Sequence, residues 1–248
     1  MNVTFKTLGI WGLVTLFIGV ALSFVYPLPT ASLPAGFHSP VLAFEFAHST
    51  EDVYQIFGQE ANAQQAGIRY KMDLGNTIDF LFMVVYSSFL MFFFRLASRD
   101  RKRRLFYVGV FFAFIALVSD IYENIQLFQI SAKLNKVPFE NELLLLHYST
   151  WTKWGSLAIS FLIARFYLVK EDNLYARCLA VSASIPWMLV VLAYIHPHIW
   201  AELMALSIMF MFVGLTVFCF RKRPSPKTPQ QMQPKQEKLS LPDVLVHR

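Results

Sequence analysis

Asp120, Glu123 and Lys153 are the residues of this chain best placed to do chemistry, because each stands inside a stretch that is otherwise apolar. A charged side chain at the middle of a bilayer costs on the order of 2.5–3.5 kcal/mol even on a lenient insertion scale, so ionisable residues in such stretches mark sites by default. Asp120, Glu123 and Asn124 fall on one helix face by their i, i+3, i+4 spacing, and Lys153 is the natural counter-ion for either acid. The set can be read as a structural ion pair that fixes helix register, as a ligand or ion site, or as catalytic groups. Carboxylates with His147 would suit a divalent metal, but no spaced ligand motif accompanies them; no metal and no cofactor is expected. Ser149 and Lys153, four apart, have the residue types of a serine nucleophile with a lysine base. No oxyanion-hole motif joins them, and serines along a membrane helix more commonly pack and hydrogen-bond.

These residues need elements to position them, and the composition says which. Of the 248 residues 56% are hydrophobic and 15% charged, against about 45–50% and 25% in soluble domains. The apolar residues fall in long runs rather than at amphipathic spacing. A bilayer core takes roughly 20 apolar helical residues, and windows of that kind lie near 8–26, 76–95, 105–128, 143–169, 177–195 and 199–220. The fold predicted is therefore all-α: a polytopic membrane helical bundle of about six transmembrane helices over residues 1–223. The first window has features of a secretory signal, with Lys6 before it and Thr30-Ala31-Ser32 after it. Its apolar stretch exceeds the usual 7–15 residues or so, which favours a retained span.

Lys and Arg placement orients the spans. Arg95, Arg99, Arg101, Lys102, Arg103 and Arg104 crowd the second-to-third turn; Arg165, Lys170 and Arg177 mark the fourth-to-fifth; Arg221, Lys222 and Arg223 open the tail. The opposite loops hold only Arg69, Lys71, Lys133 and Lys136. Both termini are thus expected in the cytoplasm, where Cys178 and Cys219 would stay reduced. The formal charge of +6 flanks apolar runs instead of gathering on a folded face, so no nucleic-acid partner is expected. Protein partners are not indicated.

Two segments fall outside the bilayer. Residues 27–75 form an extracytoplasmic loop in which Ser49 precedes Val53, Tyr54, Ile56 and Phe57, with Gly58 after them, the marks of a short amphipathic helix. Residues 224–248 are polar and Pro-rich, a disordered tail by composition. His196-Pro197-His198 beside Glu202 has metal- or pH-sensing residue types but reads as a solvated turn; Trp200 fits the interfacial belt, and Pro186-Trp187 marks a kink.

Depth then collects the polar residues. At about 1.5 Å per residue, Asp120 lies about 22 Å along the third span, in its outer third with Glu123 and Asn124. His147, Trp151, Lys153 and Trp154 occupy the outer half of the fourth; Asn76 and Asp79 start the second at that edge, and Glu202 the sixth. Gly109, Ala113 and Ala116 run into the acidic cluster on one face, so Asp120 is expected to meet helices, not lipid.

Phe44-Glu45-Phe46-Ala47, Asp79-Phe80 with Tyr86, Asp120 with Glu123-Asn124, and Lys153-Trp154 together resemble a group of bacterial multi-span membrane proteins without an assigned activity. The resemblance covers roughly 40–170 and implies a bacterial cytoplasmic-membrane protein; it brings no ligand or catalytic residue. From the residues themselves, Asp79, Asp120, Glu123, Asn124, His147, Trp151, Lys153 and Trp154 are expected to line a polar pocket open to the outer face and roofed by 27–75. Such a pocket would bind a small amphiphile or a membrane-lipid headgroup. The alternatives are a membrane-embedded lipid-modifying enzyme and a structural or accessory subunit.

Overall fold

A computed structural model describes residues 3–28 and 30–222, so the Pro-rich tail lies outside the described residues. Within them the chain forms nine helices: α1 (Phe5–Val25), α2 (Pro40–Glu45), α3 (Thr50–Phe57), α4 (Ala63–Arg101), α5 (Phe106–Lys133), α6 (Glu140–Leu168), α7 (Leu174–Ser182), α8 (Ile185–Ile195) and α9 (Pro197–Arg221). The all-α bundle is the architecture the hydropathy pattern predicts. Five stretches are long and apolar enough to cross a membrane: α1, α4, α5, α7 with α8, and α9.

The fourth expected span, α6, is 29 residues long but is not among those five. Its polar stripe accounts for this. Ser149, Thr150, Lys153, Ser156 and Ser160 are all buried, because α6 turns this face into the bundle, along α5 and against α4, α7, α8 and α9. A helix can carry polar groups on the face it turns to other helices, while Leu144, Tyr148 and Phe166 on its opposite face stay exposed.

Two boundaries differ from the hydropathy windows. Residues 63–75, assigned above to the outer loop, are the first turns of α4, which Asn62 starts by accepting the Gln65 N–H at 3.0 Å. Ile68, Met72 and Gly75 are buried at helical spacing there, a one-sided pattern that a window average hides. The fifth window is two helices, broken at Ala183-Ser184. Pro186 lacks an N–H, and its ring crowds the carbonyl four residues back, that of Ser182, where α7 stops.

Close approach of α4 and α5 depends on Gly109. A Cβ there would lie 2.5 Å from the Phe94 ring, and Ala113 and Ala116 continue the narrow face fully buried. In lipid there is no hydrophobic gain in bringing helices together, so such packing contacts carry the association. Gly109→Val is expected to destabilise the protein by about 1–3 kcal/mol through displacement of that ring. Thermal unfolding in detergent reads this, and an unchanged melting temperature would contradict the packing role.

A second set of ion pairs closes the end of the bundle where α4, α6 and α9 finish. Lys222 reaches Glu171 at 2.7 Å and Asp100 at 3.2 Å; Arg101 also pairs with Glu171, and Tyr167 donates to Asp100 at 2.8 Å. Here, among the described residues, two acids meet two bases.

Candidate functional site

α2 is not a span, yet it delivers a carboxyl into the bundle. Ser39 and Pro40 start it, the Ser39 hydroxyl accepting the Leu42 N–H. Its first backbone amides are fixed from α9: the Glu202 carboxylate accepts the N–H groups of His38 and Ser39, each at 2.8 Å. Glu202 therefore anchors α2 and does not join the charged cluster at whose level the sequence placed it. At the other end of α2, Glu45 points inward, held by the Trp154 indole N–H at 3.1 Å and the Lys153 ammonium at 3.0 Å.

α5 and α6 supply the rest. Lys153 Nζ lies 2.5 Å from Glu123 and 3.5 Å from Asp120, so the counter-ion named from sequence meets both acids and Glu45 as well. It also stands 4.8 Å from the centre of the Trp154 ring, a cation–π distance. Thr150, one turn before Lys153, donates its hydroxyl within 2.9 Å of Glu123, and Tyr86 of α4 donates to Asp120 at 2.5 Å. Asn124 extends the network back to α4, donating to Asp79 at 2.9 Å and to the Asn76 carbonyl at 3.3 Å. Tyr26, just past α1, donates to the Asn76 side chain at 3.3 Å. The Asn76 amide nitrogen and Gln126 Oε1 are buried with no hydrogen-bond partner among the described residues.

Among the described residues, Glu45, Asp120 and Glu123 thus share one ammonium, and a fourth carboxyl, Asp79, joins the cluster through Asn124. Burying an excess of like charge away from water is strongly unfavourable, so the cluster either retains protons or calls for a second cation. Glu45 lies outside the spans. Burial pushes its carboxyl above the ordinary value of 4.5; the Lys153 ammonium pulls it back by less, and Asp120 adds to the rise.

Of the residues singled out in the sequence, Asp79, Asp120, Glu123, Asn124, Lys153 and Trp154 come together. His147 does not: its ring lies 5.2 Å from that of His48 at the edge of the loop. Trp151 packs on Phe46 and Tyr194, both at 5.1 Å between centroids, and forms a wall beside the charges. The site is also closed rather than open. The side chains of Lys153, Asp120, Glu123 and Glu45 are 6%, 4%, 0% and 11% exposed, with Phe46 of the loop lying over Trp151 and Trp154. The Ser149 hydroxyl donates to the Leu145 and Leu146 carbonyls of its own helix, not to Lys153, which removes the basis for a serine–lysine dyad.

Glu45, Thr150, Tyr86 and Tyr26 are the participants that spacing did not assign to the site. Glu45 left a signal as the single acid in the apolar run from Val41 to Ala47, and Tyr86 stood beside Asp79-Phe80 only in the resemblance.

Long apolar helices around a shared, buried set of charges define a multi-pass α-helical membrane protein. Comparison with protein-family models, curated proteins and solved structures finds no match to this chain.

Proposed function

We propose that this protein binds the headgroup of a small amphiphile or membrane lipid at the Glu45, Asp79, Asp120, Glu123 and Lys153 cluster, with Trp151 and Trp154 as the apolar wall. The observation that carries the reading is the surplus of carboxyls over ammonium groups in a buried place. A headgroup bearing an amine would restore the balance, and the aromatic rings of Phe46, Trp151 and Trp154 beside the acids are the surroundings an ammonium prefers. Entry requires α2 to lift, since Glu45 occupies the place the headgroup would take. The membrane would be the bacterial cytoplasmic one, with both termini inside, as the Lys and Arg asymmetry favours.

A structural reading competes, favoured by the completeness of the contacts that Lys153 already makes. Lipids and metabolites that co-purify with the full chain separate the two. The binding reading expects an amine-bearing amphiphile enriched on the wild type and reduced at least several-fold on Asp120→Asn. Identical molecules recovered from both proteins would leave the cluster as a structural clamp.

A further inference from the structure

At the other end of α4, about 24 Å from Asp79 at 1.5 Å per residue, Arg95 and Arg99 line a cavity of about 170 Å³ together with Val3, Phe92 and Leu96. The two arginines are four residues apart and so project from one helix face. Both are exposed. Ion pairs among the described residues engage Arg69, Arg101, Lys133, Lys153, Arg177 and Lys222, but neither Arg95 nor Arg99. The neighbouring acids Asp100 and Glu171 are engaged by Lys222 and Arg101 instead.

The floor of this cavity is apolar, and it continues onto lipid-facing surface. Phe92 lies tilted against Trp11 of α1, with centroids 6.3 Å apart, and Trp11, Val14 and Phe17 of α1 stay exposed. A pair of guanidinium groups that no described acid pairs, beside a strip of apolar surface at the end of two spans, is complementary to one kind of molecule. The phosphate sits between the arginines, which present planar donor forks to it, and the acyl chain follows Phe92 and Trp11 along the bilayer. We propose that Arg95 and Arg99 form a binding site for an anionic phospholipid, separate from the buried cluster.

The apolar floor decides between a lipid and a free anion. Inorganic phosphate would use the arginines alone, whereas a phospholipid uses both parts. The full-length protein in neutral detergent, titrated with phosphatidylglycerol or phosphatidylcholine and followed by native mass spectrometry, tests this. The wild type is expected to bind phosphatidylglycerol about ten- to thirty-fold more tightly, the scale that two interfacial arginines provide. R95Q/R99Q should lose that preference, while R103Q/R104Q, which removes the same charge from the adjoining turn, should keep it. Equal loss in both double variants would reveal diffuse charge rather than a site and overturn the proposal. So would an R95Q/R99Q protein that binds as the wild type does, or displacement of phosphatidylglycerol by millimolar inorganic phosphate.

Discussion

Lys153→Met should lower the melting temperature of the purified protein by on the order of 10 °C, the largest stability effect expected of any single substitution in this chain. The reason is what remains behind. Among the described residues, Lys153 is the only cation within ion-pairing distance of Asp120, Glu123 and Glu45, and stranding buried partners by removing the other half of a pair costs about 3–5 kcal/mol. Methionine has nearly the volume of the lysine stem, so cavity formation contributes little. Adding Glu123→Gln to Lys153→Met should then recover part of the loss, since Glu123 is the nearest of the three acids at 2.5 Å. Such non-additivity is the mark of a direct electrostatic coupling. A Lys153→Met protein that melts with the wild type would show that the acids carry their own neutralisation and that the ammonium is dispensable.

That coupling was partly legible before the fold was seen, and the reason is physical. A lipid-spanning helix needs a run of roughly 20 predominantly apolar residues, so α1, α4, α5 and α9 announce themselves. A charge within an apolar run stands out, as Asp120, Glu123 and Lys153 do. The same logic weakens wherever a segment is shielded from lipid. α6 carries its polar stripe on the face it turns to α5 and the other helices, and its status as a span is correspondingly less clear from hydropathy. Glu45 was hidden for a different reason: α2 has six residues, too few for a periodicity, and lies in a segment that composition puts outside the bilayer. Tyr26 and Tyr86 donate to residues 50 and 34 positions away, and no spacing rule reaches across helices. The paired His48 and His147 rings show the converse error. Common depth put His147 with the acids, but depth alone does not fix the direction of a side chain around its helix.

The two ends of the bundle also solve the cost of buried charge differently. Near the last turns of α4, α6 and α9, Arg101 and Lys222 pair with Asp100 and Glu171, acids and bases in equal number among the described residues. The cluster around Lys153 has more carboxyls than ammonium groups, and it sits under α2, which Glu202 anchors at its start and Trp154 and Lys153 hold at its end. That imbalance is what separates a candidate site from a brace.

Glu45→Gln is accordingly expected to abolish a pH dependence in the seating of α2. Burial holds the Glu45 carboxyl above its ordinary value of 4.5, against the smaller opposing pull of Lys153. A carboxyl whose value is raised on folding favours the folded arrangement in its neutral form. Its contribution is fully present below the ordinary value and is lost as pH rises through the raised one. Ionisation should therefore loosen α2, and glutamine, which stays neutral and still accepts the Trp154 N–H, should keep it seated. Ala47 is 2% exposed at the end of α2, so a cysteine placed there reacts with a maleimide only when the segment lifts; Cys178, which is exposed, is first changed to serine. The ratio of labelling rates, Glu45 protein over Glu45→Gln protein, cancels the thiol's own ionisation. It should climb several-fold as the pH rises above the ordinary carboxylate range. A flat ratio would mean that Glu45 stays in one charge state throughout, and that α2 opens, if it opens, for some reason other than the charge it carries.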